Sequence, residues 1–189
     1  MTHCLDSDKV TVMLELSSNT IKVLGIFGRL SPELEATLDA IEDNYSDKPQ
    51  TTEYDIFRHL TLTFVNDATV ADVHEQLQLL KELKQFLLLK ITPTKAFVKD
   101  EESLSGAEHV AFEFELDQTK ELVDFIKSKV GQDKAVATWY IKLVWFVSKE
   151  NQQTAIDELS KITELEFTDF YLVANKQDEA NTLFKASDF

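Results

Sequence analysis

Seven residues, Arg58-His59-Leu60-Thr61-Leu62-Thr63-Phe64, place one histidine and two threonines at alternate positions. In a β-strand, residues two apart point to the same side. The spacing therefore predicts His59, Thr61 and Thr63 on one face, with Leu60, Leu62 and Phe64 buried on the other. An imidazole can carry a proton near neutral pH, and a hydroxyl can donate to a non-bridging phosphate oxygen. The row thus has the chemistry to hold a phosphate. The same pattern also fits a half-exposed strand whose polar face includes a histidine. Arg58 alternates to the face opposite His59, which makes it a poor ligand for the same phosphate.

The elements that must position this row follow from periodicity. Alternating apolar residues predict a strand at 10–16 and a second at 21–27, closed by Gly28. Ser31-Pro32 is a helix start, with Glu33 and Glu35 near the positive end of the dipole and Leu34, Leu38 and Ile41 as the apolar stripe. A polar loop over 44–54 leads into the His59 strand. Thr69 and Asp72 have the spacing of a capping box. The helix they open carries Val70, Val73, Leu77, Leu80 and Leu83 inward, with His74 at the surface.

Strands are expected at 86–91, through Phe97, and at 109–114, with a charged turn at 99–106 between the latter two. A helix over 117–130 follows, ending at Gly131. The Thr138-Trp139-Tyr140-Ile141-Lys142-Leu143-Val144-Trp145-Phe146 strand comes next, then a helix at 152–161 with Ala155, Ile156 and Leu159 inward. Strands at 165–173 and 183–189 close the chain. The unit of a helix followed by a polar-faced strand occurs twice, ending at His59 and at Tyr140. This predicts an α+β fold of two pseudo-symmetric lobes, each an antiparallel sheet with helices on its outer face. No low-complexity linker separates the lobes, so residues 1–189 read as one domain with intertwined lobes and an extra strand within residues 1–20.

Composition narrows the functional classes. The 189 residues are 43% hydrophobic with thirteen phenylalanines and four glycines, which suits a packed globule. No stretch approaches the ~18 consecutive apolar residues of a membrane span, and the first residues lack a signal-peptide pattern. Cys4 is the sole cysteine, so no internal disulfide is available, and no Cys/His cluster offers a zinc site. We expect a cytoplasmic protein with neither metal nor cofactor. The net charge of −15, from 34 acids against 19 bases, repels a nucleic-acid backbone at long range. A small nucleotide, a phosphate ester or a protein partner is expected in preference to a long nucleic acid or a membrane.

His59-Leu60-Thr61 on a strand resembles the His-x-Thr motif of the 2H phosphoesterase superfamily, which includes the bacterial 2′-5′ RNA ligase (LigT-like) and cyclic phosphodiesterase families. The resemblance runs from about residue 21 to residue 184. Ile21-Lys22-Val23-Leu24-Gly25-Ile26-Phe27 and Ser31-Pro32-Glu33-Leu34 look like the opening strand and first helix. The stretches from Phe86 to Phe97 and His109-Val110-Ala111-Phe112-Glu113-Phe114 look like the middle strands. The resemblance implies that His59 acts as acid or base on a phosphodiester and that Thr61 binds its phosphate. It also implies a second His-x-Thr in the mirror-image half, on a strand facing His59 across a cleft between the lobes. Here Tyr140 stands for the second histidine and Lys142 for its threonine.

Hydrolysis by such a pair needs one base and one acid flanking the phosphate. Phenols and alkylammonium groups ordinarily titrate near pH ~10, which suits them to binding more than to proton transfer at neutral pH. Lysine is a good point-charge partner for phosphate. The sequence therefore predicts catalytic-type residues His59 and Thr61, substrate-binding residues Tyr140 and Lys142, and weak or lost phosphodiesterase activity. His109 lacks a following threonine and is a poor replacement histidine. Trp139, Trp145 and Phe146 fit either base stacking or core packing. Two other readings remain open: a working phosphodiesterase whose acid is Tyr140 with a water, and an acidic protein-interaction module without a ligand.

Overall fold

The computed structural model describes residues 21–46, 58–100, 108–145, 147–176 and 179–189. The strand expected at 10–16, most of the 44–54 loop and residues 101–106 of the 99–106 turn lie outside these. Nine strands and four α-helices follow in the order β1 (Ile21–Leu30), α1 (Pro32–Tyr45), β2 (His59–Thr61), β3 (Val65–Ala68), α2 (Val70–Leu83), β4 (Leu89–Ile91), β5 (Lys95–Asp100), β6 (Glu108–Glu113), α3 (Lys120–Val130), β7 (Tyr140–Trp145), α4 (Gln152–Leu159), β8 (Leu165–Lys176) and β9 (Glu179–Lys185), counted among the described residues. Six strands form one antiparallel sheet. In it β1 lies between β2 and β3 on one side and β8 on the other, and β8 also pairs with β4 and β9. The remaining three form a second sheet in the order β5-β6-β7.

Local chemistry explains most of the helix ends. Ser31 Oγ accepts from the Leu34 N–H at 3.3 Å, with Pro32 in the first helical turn of α1. Thr69 and Asp72 cap α2 reciprocally, and Lys120–Val130 ends at Gly131, whose φ of 88° a side chain would resist. The strand expected from Phe86 starts only at Leu89. Lys84–Phe86 forms a 3₁₀ turn and Leu88 has φ 66°, a left-handed residue that ends the turn before extended pairing begins. Val70, expected inward, is exposed, whereas His74 lies at the surface as expected.

One core joins the lobes. Leu24, Ile26 and Leu30 of β1 share a single apolar cluster with Val110 and Phe112 of β6 and Ile141 and Val144 of β7. The helices cross over. Helix α1, which connects β1 to β2, packs on β7 and α4, while α3, which connects β6 to β7, packs on α2. Each lobe thus covers part of the other, so the apolar face of neither sheet is complete alone. Among the described residues no helix is long and apolar enough to cross a membrane.

Candidate functional site

His59 and Thr61 lie on β2 with their neighbours fixed by register. His59 sits opposite Arg29 and Thr61 opposite Phe27 on β1, and opposed residues of an antiparallel pair share a face. The His59 ring meets Phe27 edge-on, with centroids 4.5 Å apart. Both His59 and Thr61 are half-buried, and Leu60 is buried on the other side. Farther along the same face, Arg29 and Lys185 both lie over the Tyr171 ring, at 5.5 and 5.3 Å.

The alternation then breaks. The N–H groups of Leu62 and Thr63 both donate to the single carbonyl of Ile26, at 2.9 and 3.2 Å. Between the pairs Phe27–Thr61 and Leu24–Val65, three steps on β1 oppose four on its partner. This is a β-bulge, and one extra residue turns every later side chain over. Thr63, expected beside His59, is wholly buried, accepting from the Ile26 N–H at 2.8 Å and donating to Gln76 Oε1 at 2.7 Å. Phe64, expected in the core, is 41% exposed. Leu60 and Leu62 are buried as expected.

Arg58 anchors this strand from its core side. Its guanidinium binds Glu35 at 3.0 Å, Asp39 at 2.6 Å and Glu42 at 2.6 Å, three carboxylates from one face of α1. Its Nε also donates to the Leu143 carbonyl of β7. Burial pushes the Glu35 carboxyl above its ordinary range despite Arg58 beside it. Burial also works against the charge on Arg58, but the surrounding carboxylates outweigh it and hold the guanidinium more firmly protonated. Sequence alternation correctly kept Arg58 off the His59 face. The acidic stripe Glu35, Asp39, Glu42 was the one signal of its partner.

The segment leading into β7 runs antiparallel beside the His59 strand. Val136 N–H donates to the Leu62 carbonyl at 2.9 Å, Phe64 N–H donates to Lys134 at 3.0 Å, and Thr63 bridges Ala135. Thr138 Oγ1 then reaches the Thr61 carbonyl at 3.2 Å. The strands carrying His59 and Tyr140 therefore adjoin where the two sheets meet. Tyr140 and Lys142 share one face of β7, opposite Glu113 and Ala111 of β6. Core residues Ile141 and Val144 occupy the other.

An aromatic and lysine cluster surrounds Tyr140. Trp139 stacks on Phe97, with centroids 5.8 Å apart and 13° between planes, and meets Tyr140 edge-on at 4.8 Å. Lys99 Nζ sits 4.4 Å from the Tyr140 ring centroid and 5.9 Å from that of Trp139. Lys95 pairs with Glu113 at 2.8 Å. Trp139 is 42% exposed, so the core alternative does not hold for it; Phe146 lies outside the described residues. His109 lies on β6, fully buried, opposite Lys99. Lys99, expected in a turn, belongs to β5, where it pairs with His109 ten residues later. Among the described residues, no cluster of three His, Cys, Asp or Glu side chains is arranged to hold a metal ion.

No protein-family model matches the chain, and no curated protein matches it in sequence. Among solved structures it is similar to Kluyveromyces marxianus Usb1 with uridine monophosphate, at TM-score 0.52 and 8% identity over 86% of this chain and 97% of that one. A second structure of the same Usb1 aligns at TM-score 0.47 and 8% identity over 87% and 98%. With two antiparallel sheets and crossed helices, the chain has the two-lobed, LigT-like α+β fold expected from the sequence.

Proposed function

We propose that this chain binds a small nucleotide or phosphate ester where β2 and β7 adjoin, and that its phosphodiesterase activity is weak or lost. The observation that carries this reading is the hydrogen bonding of residues 61–64, at and just after the first motif, to residues 134–138, the segment that leads directly into Tyr140 and β7. In this reading His59 and Thr61 contact the phosphate from one lobe. Tyr140 and Lys142 contact it from the other, by hydrogen bond and by charge. The resemblance to a fold solved with uridine monophosphate supports a nucleotide as the ligand class. The lysines near Tyr140 mean that overall acidity does not exclude a longer nucleic acid, because phosphate attraction is local within a Debye length.

The chemistry lost is proton transfer. With one histidine the site has a single group suited to move a proton at neutral pH, and losing an acid–base partner removes ~10²–10⁴-fold of rate. The test is hydrolysis of a 2′,3′-cyclic nucleotide by the parent, by Tyr140→His with Lys142→Thr, and by that double variant carrying His59→Ala. The expected result is little turnover by the parent, a gain in the double variant and its loss without His59. Parent turnover at ~1–10³ s⁻¹ that vanishes in His59→Ala would overturn the reading. A folded double variant that neither binds nor hydrolyses nucleotides would do so as well.

A further inference from the structure

Substitution of the second His-x-Thr changes the kind of charge the site presents, not only its capacity for proton transfer. A histidine and a threonine offer hydrogen bonds and at most one titratable charge, which suits a phosphodiester bearing a single negative charge. On β5–β7 the corresponding face carries Lys99 beside Tyr140, with Lys142 two residues farther along the strand. Lys95 and Glu113 form an ion pair at 2.8 Å and cancel. His109 lies buried opposite Lys99, and His59 lies on β2 against Phe27. Arg58, with Glu35, Asp39 and Glu42, belongs to the core side of its strand. Lys99 thus brings a positive charge beside Tyr140, the position where the family pattern has a histidine.

We infer that this site selects a phosphate monoester dianion, such as the terminal phosphate of a nucleotide, over a phosphodiester monoanion, and that Lys99 is a specificity-determining residue. The inference rests on the nucleotide-binding reading above. Coulomb attraction scales with the ligand's charge, so each added lysine favours the doubly charged ester. Lys99 is held against the Tyr140 ring by cation–π attraction, which keeps its charge at the substituted position. Trp139, stacked on Phe97, lies within 5.9 Å of the same ammonium.

Calorimetric titration of the full chain with uridine monophosphate and with its phosphate methyl ester tests this. A monoester phosphate loses its second proton near pH ~6, while the methyl ester stays singly charged throughout. The monoester is expected to bind about tenfold more tightly at pH ~7.5, with the ratio falling toward unity at pH ~5. The two ligands are compared at the same pH, so the protein meets both in the same charge state, and the contribution of Lys99 is read from the difference between the parent and Lys99→Met. Lys99→Met is expected to reduce the ratio, and Lys99→Arg to keep it. Equal binding at the higher pH, or tighter binding of the diester, overturns the inference and leaves nucleotide binding intact. A preference unchanged in Lys99→Met overturns the role of Lys99. Absence of binding by either ligand overturns both this inference and the reading it rests on.

Discussion

Arg58, one residue before His59, donates from Nε to the carbonyl of Leu143, one residue after Lys142. One buried guanidinium thus ties the strand of the first motif to the strand of its substituted counterpart. The same group is gripped by three carboxylates of α1, the helix that crosses from one lobe to the other. It acts together with the backbone hydrogen bonds between residues 62–64 and 134–136, which join the two chain segments just beyond β2 and just before β7.

Replacing Arg58 with methionine should therefore be severe. It removes the guanidinium from Glu42, whose side chain is 6% exposed, and from Glu35, which is itself partly buried. Breaking a buried pair by removing one partner typically costs about 3–5 kcal/mol. Urea denaturation should show a loss of that order. Arg58→Met together with Glu42→Gln should recover part of it. A loss below about 1 kcal/mol, the range of a surface pair, would mean the cluster is not buried in solution.

Thr61 and Thr63 should separate cleanly. Thr63→Val takes an acceptor from the Ile26 N–H and a donor from Gln76 inside the core. The expected cost is about 1–3 kcal/mol of stability, with nucleotide affinity of the folded protein unchanged. Thr61→Val should weaken nucleotide binding and leave the denaturation midpoint nearly where it was. Titration of each variant below its unfolding temperature checks both halves.

Gly25 is required by the bulge. A Cβ there would stand 2.7 Å from the Thr63 carbonyl oxygen and 2.9 Å from Phe27 Cζ. The phenyl ring can swing, but the carbonyl belongs to the bulged backbone and cannot withdraw without disturbing its pairing. Gly25→Ala should destabilise by about 1–3 kcal/mol in thermal or urea unfolding. A neutral substitution would show that the strand relaxes freely at this point.

Asp72 sets part of the acid limit of stability. Hydrogen bonds from Lys134 and Thr69 hold its carboxyl down to about 2. A carboxyl depressed in the folded state stabilises above its unfolded value, near 3.9, and loses that contribution as pH falls toward the folded one. Glu35 works in the opposite sense. Raised by burial, it favours the fold below its unfolded value and loses that contribution as pH rises through its folded one. The difference between parent and Asp72→Asn isolates the first effect. The parent's advantage in urea midpoint should be constant above pH ~4.5 and shrink steadily between pH ~4 and ~2. An advantage that persists at pH ~2 would show that it comes from cap geometry and not from charge.

What the sequence determined by itself is what depends on near neighbours. The Thr69–Asp72 box, the Ser31-Pro32 start of α1, the Gly131 stop and the alternating strands each rest on interactions within a few residues. Their order, together with the His59-Leu60-Thr61 motif, was enough to reach a two-lobed α+β fold. The tertiary structure decided where local periodicity met a partner distant in the chain. Thr63 turns inward because Ile26, on β1, accepts from two successive N–H groups and flips the register. Trp139 stays exposed because Phe97 offers it a ring to stack on from another strand. Arg58 is buried because Glu35, Asp39 and Glu42 line up only once α1 has folded across β7. Side-chain alternation is a property of one strand, whereas bulges, stacking and buried ion pairs belong to two elements at once, and only packing joins them.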